Sequence, residues 1–331
     1  MKTKTFALVS DLVVVALVVA GALLLFLSGL FTDGWKTDRP LLPLSVDWSR
    51  IVLLASAAGV IVGVLLASFI RVRRARVVDG RVERYSLFDR LVHWAVALGF
   101  VLDFVTAIWL LRWIGLQTDV DNRQVLYFVH FVGATLIVFA ALVFVTASRI
   151  RNQDALFPRW RDVSPAFARL FGYLGVYGQS GVFGIRMPKG AQKSWQSALA
   201  GLGIKPNPRE GKFLSVEKVF SFTPLAILAT IVIVTGVIKS ARYFFALPAD
   251  LIYWTTWLHD LMAWGTLLVV GLHLAAIFLV PRNWPGIKTM IVGSMSFRGV
   301  EHEFPAWADQ LRAREPHAAP KGAATHPTPG D

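Results

Sequence analysis

Four histidines lie inside long apolar segments of this sequence: His93, His130, His259 and His273. An ionisable side chain at membrane depth is costly and usually marks a function. An imidazole there can relay protons, hydrogen-bond to a neighbouring helix or bind a metal ion. The chain has no cysteine, which excludes iron–sulfur clusters, zinc-thiolate sites and covalently attached c-type haem on this chain. A metal would therefore be bound by histidine, carboxylate, methionine or tyrosine.

Two of these histidines stand near the ends of one apolar stretch, LHDLMAWGTLLVVGLH, which runs from Leu258 to His273. On an α-helix the fourteen steps between them advance about 1400°, about 40° short of four full turns, so both rings share one face. They are roughly 21 Å apart along the axis, most of the way across a bilayer core of about 30 Å. The spacing predicts two stacked sites, one near each membrane surface.

The composition indicates a membrane protein. Of 331 residues, 55% are hydrophobic and 17% are charged, a balance too apolar for an ordinary soluble domain. We predict an all-α polytopic bundle of about six transmembrane helices, with a four-helix core that holds the histidines. The predicted spans are Phe6–Phe31, Ile51–Ile70, Leu91–Trp113, Val125–Ala147, Val219–Ile238 and Tyr253–Val280.

The net charge of +13 is concentrated in alternate connections between these spans. Seven arginines lie between the second and third spans, and twelve Lys and Arg residues lie in the link from Ser148 to Lys218. Because cytoplasmic loops retain the positive charge, we expect a multi-pass protein of the bacterial inner membrane with both termini in the cytoplasm. This placement accounts for most of the charge without nucleic acid as a partner.

With that orientation, the four histidines fall into two layers. His93 and His273 lie near the cytoplasmic surface, and His130 and His259 lie near the periplasmic surface. Two imidazoles that face each other across a bundle are the arrangement for bis-histidine haem b, which carries electrons because the iron has no open position. We therefore predict two haem groups. The alternatives are helix–helix hydrogen bonds and a proton relay.

Other residues near the two layers could serve the same cofactors. Small residues would let a flat macrocycle approach the helices, and the candidates are Gly99, Gly133 and Gly271. Haem propionates need cationic partners, and several Lys and Arg residues flank the spans. The alternative is that these are ordinary flanking residues whose charge extends to the membrane surface. The cytoplasmic-side candidates are Arg84, Arg90, Arg149 and Arg151, and the periplasmic-side candidates are Arg112, Lys239 and Arg242.

Two acidic residues stand out in the spans. Asp103 lies about half-way through its span, where an ionised carboxylate is expensive. We expect it to be neutral and hydrogen-bonded, or else to form part of a proton path to the cytoplasmic layer. Asp260 follows His259, and we expect it to be solvated or to face a partner.

The chain divides into three parts by pattern. Residues 1–75 hold two additional N-terminal helices, of which the first is retained rather than cleaved, because its apolar run is long and no small-x-small site closes it. Residues 76–300 form the histidine core, including a long cytoplasmic link over 148–218. Residues 301–331 form a cytoplasmic, partly disordered tail that is rich in Pro, Ala and Gly after Trp307, with His302, His317 and His326 exposed.

Over roughly Glu83–Trp307 the chain resembles the cytochrome b (gamma) subunits of quinone-linked formate dehydrogenases. The segments that carry the resemblance are RYSLFDRLVHWAVALGFVL, HFVGATLIVFAALVF, LHDLMAWGTLLVVGLH and GIKTMIVGSMSFRGVEHEFPAW. The resemblance implies the same pairing of iron ligands, His93 with His273 and His130 with His259. It also implies an iron–sulfur (beta) subunit as electron donor, a molybdopterin catalytic (alpha) subunit behind it, and menaquinone or ubiquinone as acceptor beside the cytoplasmic-side haem.

The sequence departs from that family at the expected quinone pocket. The family's Asn-x-Gly-Gln-Lys stretch corresponds here to Leu214, Val216, Glu217 and Lys218 as the first, third, fourth and fifth residues, and only the lysine matches. The quinone would then be held differently, by Glu217 and Lys218, or the acceptor or partner enzyme differs. The alternatives left open are the anchor of a hydrogenase or another molybdenum oxidoreductase, a proton-coupled transporter, and a purely structural anchor.

Overall fold

The computed structural model describes residues 48–69, 75, 77–110, 120–150, 157–177, 181–206, 208–242 and 245–314. In this part of the chain the structure is helical apart from one small sheet and the connections. In chain order the helices are α1 (Trp48–Phe69), α2 (Leu87–Leu110), α3 (Val120–Ile150), α4 (Trp160–Tyr173), α5 (Lys189–Gly201), α6 (Thr223–Ala241), α7 (Ala249–Leu279), α8 (Trp284–Val292), α9 (Phe297–Glu303) and α10 (Pro305–Arg314).

Five helices among the described residues are long and apolar enough to cross a membrane. The segments are Arg50–Phe69, Leu87–Leu110, Val125–Ile150, Glu217–Ala241 and Ala249–Leu279. They confirm the last five predicted spans, with ends that differ by no more than four residues. The predicted first span, Phe6–Phe31, lies outside the described residues. The chain is an all-α helical membrane protein.

The chain separates into two compact units. The first comprises Met1–Arg71, Phe88–Asp154 and Pro224–Gly271, and so contains α1, α2, α3, α6 and most of α7. The second comprises Val72–Leu87, Ala155–Thr223 and Leu272–Asp331, and so contains the sheet, the shorter helices and the last two turns of α7.

In the first unit, helix α1 packs closely on α3 through two glycines four residues apart. A Cβ atom at Gly59 would lie 2.7 Å from the Phe139 carbonyl oxygen, and one at Gly63 would lie 2.9 Å from the Val143 carbonyl oxygen. Small residues at this spacing let membrane helices approach backbone to backbone, where van der Waals contact stabilises the pair. Helix α1 is therefore a packed part of the bundle.

Helices α2 and α3 approach in the same way. A Cβ atom at Gly99 or at Gly133 would lie 2.9 Å from the carbonyl oxygen of the other glycine. The expectation that these two glycines leave room for a macrocycle is wrong, because the space beside each is filled by the neighbouring helix. Gly271 has no atom within 4 Å of where its Cβ would lie.

The sheet belongs to the second unit and joins distant parts of the sequence. Strands β1 (Val77–Val78) and β2 (Arg81–Glu83) form a hairpin whose turn residues, Asp79 and Gly80, both have positive φ, at 49° and 69°. An Asp-Gly pair suits this two-residue turn, because both positions need a left-handed backbone. Strand β2 also pairs antiparallel with β3 (Ser294–Ser296). The sheet therefore joins residues of the second unit that are far apart in the chain.

The predicted link over 148–218 contributes α4 and α5, and its last residues pack in the same core as the segment that follows α7. The buried residues of this core are Val82, Tyr173, Leu214, Val216, Val280, Met295, Phe297, Val300, Phe304, Trp307, Ala308 and Leu311. The prediction that disorder begins after Trp307 is wrong. Helix α10 continues to Arg314, and its residues Ala308 and Leu311 are buried. His302 is exposed as predicted, while His317 and His326 lie outside the described residues.

A buried ion-pair network fixes α4 to the C-terminal helices of the second unit. Glu303 lies 2.5 Å from an Arg169 nitrogen and 3.1 Å from Arg282 Nε. Burial acts to raise the pKa of the Glu303 carboxyl, but Arg169 and then Arg282 outweigh it and hold that pKa below its ordinary value. Glu303 is therefore ionised in the folded protein and bridges two arginines.

Candidate functional site

His130 on α3 and His259 on α7 face each other in the first unit. Their ring centroids are 6.4 Å apart and the ring planes are inclined by 65°. Two metal–imidazole bonds of about 2.0 Å, with about 1.2 Å from each nitrogen to its ring centre, would place the centroids about 6.4 Å apart. The pair therefore has a separation at which both imidazoles could bind one metal, and the fold brings the two residues of the predicted pair together.

A buried threonine orients the His130 ring. The Thr106 hydroxyl on α2 donates to the Leu102 carbonyl at 2.7 Å, and its oxygen lies 3.1 Å from His130 Nδ1. When the hydroxyl proton is donated to this carbonyl, the oxygen accepts from the ring. In that arrangement Nδ1 carries the ring proton, and the lone pair on Nε2 is free to bind a metal.

The His259 ring is held by the same kind of contact. The Thr235 hydroxyl on α6 donates to the Ile231 carbonyl at 2.7 Å, and its oxygen lies 3.0 Å from His259 Nδ1. The Val232 carbonyl oxygen is also 3.0 Å from Nδ1. A carbonyl only accepts, so this nitrogen carries the proton and Nε2 is again the free ligand. Partners of this kind orient metal-binding histidines and raise their basicity.

Gly236 leaves space for the His259 ring beside α6. A Cβ atom at Gly236 would lie 3.2 Å from the ring carbon Cε1. A larger side chain would have to displace the ring. The sequence analysis missed Gly236 and both threonines, although one signal was present: each threonine lies 24 residues before the histidine that it contacts.

Asp103 lies beside this pair. Its Oδ1 is 3.9 Å from His130 Nδ1, too long for a direct hydrogen bond. A Cβ atom at Gly133 would lie 2.2 Å from the same oxygen, so the glycine also makes room for the carboxyl. The histidine that this carboxyl approaches is His130, and the alternative of a proton path from Asp103 to the layer of His93 and His273 stays a prediction.

His273 lies in the second unit, where its Nδ1 is 3.3 Å from the Ser221 hydroxyl oxygen. Ser221 belongs to a π-helical turn, Glu217–Phe222, that opens directly into α6. Such turns add a residue to the helical repeat and are frequent at functional sites. His93 lies in the first unit, where its ring makes an edge contact with Trp94 at 5.4 Å between centroids. The pairing of His93 with His273 stays a prediction.

The residues predicted to bind a quinone lie on this π-helical turn. Glu217 Oε2 accepts from the Leu214 backbone N–H at 3.1 Å, and an Arg84 nitrogen lies 3.8 Å from the same oxygen. Lys218 Nζ lies 3.5 Å from Asp162 Oδ1. Both side chains therefore support the start of the helix and its packing on α4. Their role toward a quinone stays a prediction.

The predicted propionate partners differ in environment. Arg84 is buried, its guanidinium stacks 4.1 Å from the Phe304 ring centre, and it donates to the Lys212 carbonyl. Arg90 is partly buried at the start of α2, and Arg149 is exposed at the end of α3. Arg112 and Arg151 lie outside the described residues.

Two further predicted residues meet each other. Lys239 Nζ lies 3.5 Å from Asp260 Oδ1, so α6 and α7 are joined by an ion pair near the His130–His259 pair. The Asp260 side chain is 38% exposed, which agrees with a solvated carboxylate, and its contact with a partner stays a prediction. Arg242 is exposed after the end of α6.

Membrane-crossing helices with a facing histidine pair fit the class of membrane cytochromes of the b type. The sequence model of the prokaryotic cytochrome b561 family matches residues 84–293, more than half of the chain. The chain belongs to that family, a family of membrane proteins that bind haem b for electron transfer. No curated protein and no solved structure shows a significant match to the chain.

Proposed function

We propose that the chain is a di-haem cytochrome b subunit that carries electrons from a periplasmic formate dehydrogenase iron–sulfur subunit across the membrane to quinone. The observation that carries this proposal is the His130–His259 pair, 6.4 Å apart between ring centroids. When bound between two imidazoles, haem b supplies reversible one-electron transfer without an open iron position.

His93 and His273 would hold the second haem. His259 and His273 are separated by fourteen residues on the same helix, α7, which places the two imidazoles on one face about 21 Å apart. The contact between His273 Nδ1 and the Ser221 hydroxyl is of the same kind as the threonine contacts of the other pair. Two haems at these depths would connect the two membrane surfaces.

This chain has no cysteine with which to bind an iron–sulfur cluster, so the proposed iron–sulfur donor would lie on another chain. An iron–sulfur subunit and a molybdopterin catalytic subunit would supply the electrons at the periplasmic surface. Menaquinone or ubiquinone would accept them near the π-helical turn that carries Glu217, Lys218 and the His273 partner Ser221. Arg90 and Arg149 are the described candidates for the propionates.

The donor can be tested in membranes that contain the chain with its native partners. Formate should reduce the b-type haem, and added menaquinone or ubiquinone analogue should reoxidise it. Reduction by hydrogen and not by formate would replace the formate dehydrogenase with a hydrogenase, the main rival within this class.

A proton-coupled transporter is the rival of a different class, and the Asp103 carboxyl beside His130 is the observation that favours it. It predicts proton movement across proteoliposomes that is lost in Asp103→Asn and needs no haem. Haem reduction by formate that persists in Asp103→Asn, with no proton flux in either protein, would instead support the electron-transfer proposal.

A further inference from the structure

Two exposed apolar tips project from the second unit, and each has arginine beside it. Trp160, the first residue of α4, is 94% exposed and stands between Arg159 and Arg161. Phe183 and Ile185 are 69% and 67% exposed and are followed by Arg186. A large apolar side chain that projects beside cations has the composition that inserts into a lipid interface.

The second tip is a built feature of the fold. The Gly181 N–H donates to the Ile185 carbonyl at 2.9 Å, which closes the loop, and Val182 packs against the buried core of the second unit. Phe183 has φ of +56°, a left-handed conformation that is unfavourable for a bulky residue. The loop therefore holds its aromatic ring outward at a conformational cost.

The charge around the second tip is of one sign, while at the first tip the Asp162 carboxylate is engaged by Lys218 and the Arg159 backbone N–H. Residues 163–209 contain six Lys and Arg residues and no acidic residue. Arg186, Lys189 and Lys193 are all exposed after the second tip. Aromatic and aliphatic tips with basic flanks complement a bilayer surface that carries anionic headgroups, since the apolar groups enter the interface and the cations bind phosphate.

The second unit is attached at the membrane. It contains the π-helical turn at which the span Glu217–Ala241 begins, and it contains the last turns of the span Ala249–Leu279. A surface tethered beside a bilayer meets lipid at high effective concentration, so weak contacts suffice.

We propose that the second unit binds the bilayer surface through Trp160 and through Phe183 with Ile185, while the adjacent arginines bind anionic lipid headgroups. The proposed lipid-binding surface belongs to the second unit and is separate from the facing histidine pair. The proposal does not depend on the donor or acceptor of the electrons.

The absence of cysteine makes the test direct. Trp160→Cys and Phe183→Cys, each labelled with an environment-sensitive fluorophore, are placed as full-length chains in nanodiscs of phosphatidylcholine alone or mixed with phosphatidylglycerol. Lys205→Cys, at an exposed polar position of the same unit, is the matched control. An unchanged haem spectrum shows that each variant is folded.

In the mixed lipid, a doxyl group near the lipid headgroup should roughly halve the emission at positions 160 and 183, with little effect at position 205. Removing phosphatidylglycerol, or changing Arg159, Arg161 and Arg186 to Gln, should weaken that quenching. Quenching by aqueous iodide equal to that of the control would overturn the proposal. So would emission shielded from both quenchers, because a second copy or another protein would then cover the tips.

Discussion

Replacing Thr106 or Thr235 with valine should weaken haem binding at the His130–His259 pair. Thr106→Val keeps the size of the side chain and removes the acceptor for the His130 Nδ1 proton at 3.1 Å. His130 also has a backbone hydrogen bond with Asp103, although the Asp103 side-chain oxygen Oδ1 is 3.9 Å away. His259 likewise keeps the Val232 carbonyl at 3.0 Å when Thr235 is changed.

The expected sizes follow from these contacts. Leaving a buried donor unpaired costs about 1–3 kcal/mol, and loss of an outer partner of a metal-binding histidine typically lowers affinity by about 10–100-fold. Each valine removes one of two acceptors and leaves a backbone partner in place. We therefore expect each change to cost about 0.5–1 kcal/mol, or roughly two- to fivefold in haem affinity.

Transfer of haem from the purified protein to a soluble haem scavenger measures these affinities. Thr266→Val is the matched control, because Thr266 is also buried on α7 and its hydroxyl donates to the Met262 carbonyl. The control should retain haem like the unchanged protein. Haem retention equal to that of the control in both Thr106→Val and Thr235→Val would refute the assignment of the two threonines as positioning residues.

Three other changes test the packing. Glu303→Gln should lower the midpoint of thermal unfolding, because breaking the buried pairs with Arg169 and Arg282 costs about 3–5 kcal/mol; an unchanged midpoint would contradict the network. The pKa of Glu303 is lowered in the fold, so its stabilisation is present above the ordinary value of 4.5 and is lost as the pH falls through the lowered pKa. The midpoints of the unchanged protein and Glu303→Gln should therefore converge in acid, and a gap that widened there would show the opposite sign. Gly133→Ala should lower the unfolding midpoint and displace Asp103, since overpacking costs about 1–3 kcal/mol, whereas Gly286→Ala, with nothing within 4 Å, should not.

The membrane spans and the His130–His259 pair could be predicted from the sequence. Apolar length fixes a span to within a few residues, because the bilayer core has a fixed thickness. The alternation of basic connections gave each span a direction, and that direction placed His130 and His259 at one depth. The structure brings these two rings together.

The residues around that pair could not be predicted in the same way. Whether a threonine contacts an imidazole depends on how two helices pack. In sequence, Thr106 and Thr235 are ordinary residues of apolar helices, and only the packing of α2 on α3 and of α6 on α7 brings them to the histidines.

The glycines could not be assigned from sequence for the same reason. Gly99 and Gly133 suit a macrocycle and a helix–helix contact equally well in sequence, and only their 2.9 Å approach to each other's carbonyl decides between these uses.

The second unit was hidden for a different reason. Its order comes from contacts between segments far apart in the chain, such as the pairing of Val82 with Met295 in the sheet and the bridge from Arg169 to Glu303. By local composition, residues 148–218 look like an ordinary loop and the C-terminal segment looks like a disordered tail. Both contribute buried residues to one core, which local composition does not indicate.

The most direct test of the account is the haem content of the purified, detergent-solubilised chain, read from its reduced-minus-oxidised spectrum, beside His259→Ala and His273→Ala. The account predicts two b-type haems per chain and the loss of one in each variant, because the two histidines serve different pairs. A folded protein that binds no haem when haem is plentiful would contradict it, and so would loss of the same single haem in both variants.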